Sequence, residues 1–183
     1  MWIRDELPSY TPGIRTILYG HDSHLIDSTS CQLISDIARD FIEQLRLGHW
    51  TLKSAKPLVF LAHSLGGLIL KDALVEMADA TDNLNNSLLD KVIGAVMFGV
   101  PNIGMEQSHL FAMVEGQPNE TLVEDLARGS NYLSRLDKSF SGIMFQRKIT
   151  IFWAYETSQS PTVIVSSFPG PTKNETPDVF AAE

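Results

Sequence analysis

The stretch Leu58–Gly67, LVFLAHSLGG, sets the terms on which the rest of this sequence can fold. Leu58–Ala62 is an uninterrupted apolar run with Pro57 just before it, the length and character of a buried strand. His63, Ser64 and Leu65 follow, then Gly66 and Gly67, and beyond them the apolar residues recur with helical spacing. A buried strand that turns abruptly into a helix, with a serine at the turn and small residues on both sides, has the form of a nucleophile elbow. The turn must be sharp so that the hydroxyl projects above the sheet, and its neighbours must be small so that strand and helix can approach. Ala62 stands two residues before Ser64 and Gly66 two after it, giving A-x-S-x-G. Alanine for the first glycine is a mild departure, because that position needs a small residue more than a flexible one. An ordinary glycine-rich βα corner uses the same residue types; the order strand, serine turn, helix is what selects the elbow.

The remainder of the chain alternates in the same manner. Ile14–Tyr19 reads as a strand closed by Gly20, and Cys31–Leu47 as a helix capped by Thr29 and Ser30 and ended by Gly48. Leu68–Ala80 continues the serine turn as a helix with Leu70, Ala73, Leu74 and Met77 on one face. Val92–Val100 is a buried strand stopped by Pro101, and Ile149–Tyr155 a strand rich in β-branched and aromatic residues. Between them lie the helical segments Glu120–Arg128 and Asn131–Phe140. Val163–Val165 is a weak strand candidate, and residues 166–183 read as a poorly ordered tail. Strands alternating with helices predict an α/β fold: a mostly parallel sheet with helices on both faces and a helical insertion after the Val92–Val100 strand. One domain over residues 1–165 is expected, with the insertion at 101–147 supplying a lid and acyl pocket or additional core.

Composition excludes several classes. A net charge of −8 argues against a nucleic-acid partner and against electrostatic anchoring to a membrane. The single cysteine, Cys31, makes no internal disulfide, which fits a reducing, intracellular setting. No apolar run reaches bilayer-spanning length, so no membrane span is expected in this chain. His21 and His24 have a metal-like spacing, but no further ligand accompanies them, and neither a metal nor a cofactor is expected.

Several separated blocks resemble, in order, one family. WIRDELP, RTILYGHDS, IARDF, PLVFLAHSLGGLILKDAL, VMFGVPNIGM and a strand ending in YET are similar to the serine-active-site-containing lipase family of the α/β-hydrolase superfamily, which has many fungal members. That family is related to lipase-like domains of unknown function and to hydrolase modules of some fungal NACHT-type receptors. The resemblance runs from Trp2 to Pro161 and implies a partial α/β-hydrolase acting on small-molecule ester or lipid acyl groups. It also allows peripheral membrane contact, at the mitochondrion or endoplasmic reticulum. Many relatives carry Pro-His-x-Gly after the sixth strand; Pro101-Asn102-Ile103-Gly104 stands there in this chain, so that histidine's role is not carried over.

On this reading Ser64 is the nucleophile and the Leu65 N–H an oxyanion donor, with Gly66 and Gly67 as elbow glycines. The acid in this fold lies just beyond the seventh strand, and Glu156, at the end of ITIFWAYE, is the candidate; a solvated strand-end carboxylate is the alternative. Asp125 and Asp137 read as solvated faces of the insertion helices. The base is the difficulty, because no histidine follows His109. His63 is expected to pack or hydrogen-bond beneath the loop, while His49 and His109 read as surface residues. Relatives also place a strand ending in His-Gly before the WIRD block, between the strands here at 14–20 and 57–63. Its absence leads us to expect a core cut at both ends, inactive or weakly active alone. The competing expectation is a non-catalytic interaction or signalling module of a larger receptor.

Overall fold

Three parallel strands carry the computed structural model: β1 (Leu58–His63), β2 (Val92–Phe98) and β3 (Thr150–Glu156). The structure describes residues 5–21, 30–105, 111, 114–156 and 180–182. A short β4 (Phe180–Ala182) pairs in parallel with the end of β3, giving the order β1-β2-β3-β4. This strand falls in the stretch expected to be a tail; three small or apolar residues suffice to use the free ladder on the outer edge of β3. Val163–Val165 lies outside the described residues. Between β1 and β2 the register slips at Leu58–Val59, where Leu58 faces Val92 and Val59 faces Gly94, so Ile93 has no opposite number.

Six helices surround this sheet among the described residues: α1 (Leu7–Tyr10), α2 (Ile34–Leu47), α3 (Leu65–Asp79), α4 (Asn83–Leu89), α5 (Glu120–Asp125) and α6 (Asn131–Arg147). The second of them starts later than its periodicity suggests. Thr29 lies outside the described residues, and the Ser30 hydroxyl accepts from the Gln32 N–H at 3.2 Å instead of capping the helix. Asp36 provides the cap, accepting the Leu33 N–H at 3.0 Å. Ile34, Ile37, Ala38, Ile42 and Leu45 of α2 are buried and pack toward α3.

The central helix, α3, buries far more than one stripe. Leu68, Ile69, Leu70, Ala73, Leu74 and Met77 are all buried, because α2, α4, α6 and β1 pack around it. Each such large apolar side chain contributes roughly 1.5–3 kcal/mol on burial. The α4 helix was not visible in the periodicity, since NLNNSLL is poor in helix formers; Asp82 starts it by accepting the Asn85 N–H at 2.7 Å. The helix α6 begins on Ser130, whose hydroxyl accepts the Leu133 N–H at 3.1 Å, and runs past Phe140 to a left-handed Lys148. Leu133, Leu136, Phe140 and Ile143 are buried, so this part of the 101–147 segment is the core crossover between β2 and β3.

One expectation fails. Ile14–Tyr19 is extended but joins no ladder among the described residues, and β1 is the outer strand of the sheet. Tyr19 is held through its own side chain, the ring 4.8 Å from Phe41 and the hydroxyl donating to the Ile37 carbonyl at 3.4 Å, while Ile17 and Leu18 are 65% and 76% exposed. A β-prone sequence without a neighbouring strand to pair with stays extended without becoming sheet. Among the described residues the two faces of the sheet differ in how fully they are covered. Ala62, Ala95 and Met97 point into the core, whereas Val59, Leu61 and Phe152 on the opposite face are 58%, 41% and 36% exposed.

Candidate active site

Ser64 sits between the last residue of β1 and the first of α3, with φ 51° and ψ −126°. A non-glycine residue at positive φ costs on the order of 1–3 kcal/mol and persists only where its surroundings enforce it. Here they do: its N–H donates to the Phe98 carbonyl at 2.9 Å, and its carbonyl accepts from the Gly67 N–H at 3.0 Å. A serine at this position ordinarily turns its hydroxyl back to cap the helix. Ser64 does not, so its hydroxyl is left uncommitted to α3. Leu65 is the first residue of α3, where backbone N–H groups have no partner within the helix and the dipole favours negative charge.

Gly67 has a different use from the flexibility usually ascribed to elbow glycines. A Cβ there would collide with the side chain of Val100, so glycine is what lets the chain beyond β2 lie on the first turn of α3. Gly104, at φ 90°, has no room for a Cβ against the backbone of Ala127 and Arg128. The turn Pro101–Gly104 is thereby wedged between α3 and the 126–129 segment, at the C-terminal end of β2, where parallel sheets place their ligands.

Glu156 is the last residue of β3, with its backbone in register with Ala182. Strands β1 and β3 are parallel with β2 between them, so Glu156 and Ser64 share one edge of the sheet about 10 Å apart in strand spacing. The Glu156 side chain lies outside the described residues. His63 is exposed, contrary to the expectation that it packs beneath the loop, because among the described residues β1 has no outer neighbour and nothing covers its second face at this end. His49 is exposed at φ 62° in the loop entering β1, at the opposite end of that strand from Ser64. His21 stacks on Tyr19 with ring centroids 6.2 Å apart. His24 and His109 lie outside the described residues. Among the described residues no group of three or more potential metal ligands occurs, and no helix is long and apolar enough to cross a membrane.

The residue that pattern reading missed is Lys71. Periodicity places it on α3 without a role, yet it is 1% exposed. Its Nζ donates to Asp137 Oδ1 at 2.8 Å and to Asn102 Oδ1 at 2.9 Å, and lies 5.1 Å from the Phe140 ring and 5.9 Å from that of Trp153. Asp137 is 58% exposed, as expected, but it is also an ion-pair partner. Asp125 is half-buried rather than solvated, and its burial, with Glu124 and Asp72 nearby, raises its pKa. Tyr132 donates to Asp72 Oδ2 at 2.9 Å, and burial, then that carboxylate, push its phenol well above the usual value.

Burial lowers the Lys71 ammonium below its usual 10.5, with the Asp137 hydrogen bond and charge opposing the shift. Between the folded and unfolded values the unfolded chain holds more protons, so this group adds stability as pH rises through that interval toward 10.5. Tyr19 and Tyr132, both raised, act only above their unfolded value of 10.0. Urea unfolding of the native chain and Lys71→Met from about pH 7 to 10 should show the native chain gaining on the variant as pH rises. A flat or falling difference would contradict the buried ammonium.

The sheet, its helices and the serine turn define a lipase-type α/β fold. No family model matches the chain. Phospholipase PlaB from Legionella pneumophila, solved in complex with thio-NAD, superposes with a TM-score of 0.56 at 18% identity, over 75% of this chain and 28% of that one. A second PlaB structure gives 0.52 at 17% identity, over 69% of this chain and 28% of that one. In sequence, the chain is 26% identical over 168 residues to Protein SERAC1 of Danio rerio, covering 85% of this chain and 24% of that protein. The chain thus spans about a quarter of the length of the curated relative it matches.

Proposed function

We propose that this chain is a serine-hydrolase-like domain acting on ester or lipid acyl groups, with Ser64 as the nucleophile. The observation that carries the reading is Ser64 itself: positive φ, a hydroxyl that does not cap its helix, and a place at the C-terminal end of a parallel strand. Its Oγ attacks the acyl carbonyl as the base takes the Ser64 proton, the carbonyl oxygen becomes an oxyanion beside the Leu65 N–H, and return of that proton to the leaving oxygen expels the alcohol and leaves an acyl-enzyme that water hydrolyses. Glu156 is the acid that orients the base. None of the described histidines follows it in the chain, so the base is unassigned and turnover by this chain alone is slow. The phospholipase name carried by the PlaB structures favours a lipid acyl chain as the substrate class. A second reading, a non-catalytic interaction module, is favoured by the open sheet face bearing Val59, Leu61 and Phe152.

Treatment with a fluorophosphonate probe, followed by peptide mapping, separates the two. A single adduct on the peptide containing Ser64 is expected, forming slowly. Glu156→Gln should slow it by about tenfold or more, since an acid that holds the base in its working tautomer is worth up to ~10⁴. A folded chain that acquires no adduct at Ser64 returns the domain to the interaction-module reading.

A further inference from the structure

We infer that Lys71 is a positioning residue: by holding the Asn102 side chain, it fixes the Pro101–Gly104 turn against the N-terminal end of α3, beside Ser64. The consequence for Ser64 reactivity rests on the proposed function; the placement of the turn does not.

Lysine is a poor choice for stability at this position. It is 1% exposed, while its ion-pair partner Asp137 is 58% exposed and stays hydrated without it. Replacing such a buried ammonium by an apolar side chain of similar length is often neutral or stabilising. What an apolar side chain cannot do is donate to Asn102, and Lys71 does so at 2.9 Å. Asn102 belongs to a tight turn in which its own N–H donates to the Val100 carbonyl at 2.8 Å and the Gly104 N–H to the Pro101 carbonyl at 3.0 Å. Gly67 and Lys71 are one helical turn apart and therefore on the same face of α3. The first receives Val100 in the space a Cβ would fill, and the second receives Asn102. From the other side, the Met105 N–H donates to the Leu126 carbonyl at 2.9 Å and the Gly129 N–H to that of Ile103 at 3.4 Å.

Lys71 is the point at which four elements meet: α3, the turn, α6 through Asp137 and Phe140, and β3 through Trp153. The same turn leaves β2 just after Phe98, the residue whose carbonyl holds the Ser64 N–H. Moving the turn moves the wall of any site built over Ser64, and a displacement of about 1 Å costs on the order of 10²-fold in reactivity.

Three variants of the full chain, Lys71→Met, Asn102→Ala and Asn102→Asp, test the inference by two readouts. Amide hydrogen exchange at Asn102 and Gly104 should accelerate about tenfold in Lys71→Met and Asn102→Ala, as loss of one hydrogen bond to a charged group implies. Fluorophosphonate labelling of Ser64, per folded molecule, should slow about 10–100-fold in both. Asn102→Ala should lower Tm by only a few degrees, because Lys71 keeps Asp137, and Asn102→Asp, which keeps an acceptor for Lys71, should restore exchange and labelling to near the native values. Unchanged exchange in a folded Asn102→Ala chain overturns the inference, even where Lys71→Met fails to fold. So does labelling that falls only in proportion to unfolding. If the native chain is not labelled at Ser64, the functional reading falls, and exchange at the turn still decides what Lys71 holds.

Discussion

Ser64→Ala is expected to abolish fluorophosphonate labelling and bring any esterase turnover to background, while leaving the melting temperature unchanged. Where a full triad operates, removing the serine costs about 10⁶ in kcat. On the proposed reading the starting level is expected to be low, since Leu65 is the one oxyanion donor assigned and losing a donor costs about 10²–10³. The drop is therefore a loss of signal rather than a large ratio. Stability gives the independent half of the test. Ser64 and an alanine in its place carry the same Cβ at φ 51°, so the strain is unchanged. Glycine accepts that conformation without cost, and Ser64→Gly should gain on the order of 1 kcal/mol in urea unfolding. A serine at a strained turn that glycine would relieve is what the proposed nucleophile role calls for. Labelling that survives in Ser64→Ala moves the nucleophile elsewhere, and a Ser64→Gly chain no more stable than the native one removes the strain argument.

The serine turn was legible because everything that defines it is local. Strand, turn and helix occupy Leu58–Met77 without interruption, and the apolar run, the glycines and the helical periodicity each leave their trace in consecutive residues. The same holds for α2 and α6, whose core faces follow the 3.6-residue period, although α2 starts at Ile34 rather than Cys31 and α6 continues to Arg147 rather than ending at Phe140. Elements that depend on distant partners were not legible. Ile14–Tyr19 has the composition of a strand, but strand formation is decided by a neighbour, and among the described residues β1 pairs only with β2. Phe180–Ala182 shows the converse, a segment with little strand signal that pairs because β3 presents a free edge.

Lys71 was invisible for a related reason. On a helix, a lone lysine is read as a solvent-facing residue, and only the positions of Asn102, Asp137, Phe140 and Trp153 show otherwise. The available signal lay in its neighbours, since Leu68–Leu74 is otherwise apolar on every side, with only Lys71 and Asp72 charged. A helix of that kind is buried all round, and a lysine within it needs a partner.

Met97→Lys should prevent folding, whereas Val59→Lys, one strand away, should cost less than about 1 kcal/mol. Consecutive crossovers that step in one direction across a parallel sheet, all right-handed, lie on the same face. The chain passes from β1 through α3 and α4 to β2, and through α5 and α6 to β3, in spatial order, so its crossover helices gather on one side. Met97 faces that side and is 0% exposed, in register with Ala62 and Trp153. Val59 faces the other and is 58% exposed. An ammonium at position 97 would be buried among register neighbours Ala62 and Trp153, neither of which carries a carboxylate or amide side chain, a change expected to cost more than about 4 kcal/mol. The contrast with Lys71, buried to the same degree but given two acceptors and two rings, is the physical point. Far-UV circular dichroism and urea titration of the two variants decide the matter. Folding of Met97→Lys with little loss would place the core on the wrong side of the sheet, and an equal collapse of Val59→Lys would mean that the second face is covered in solution.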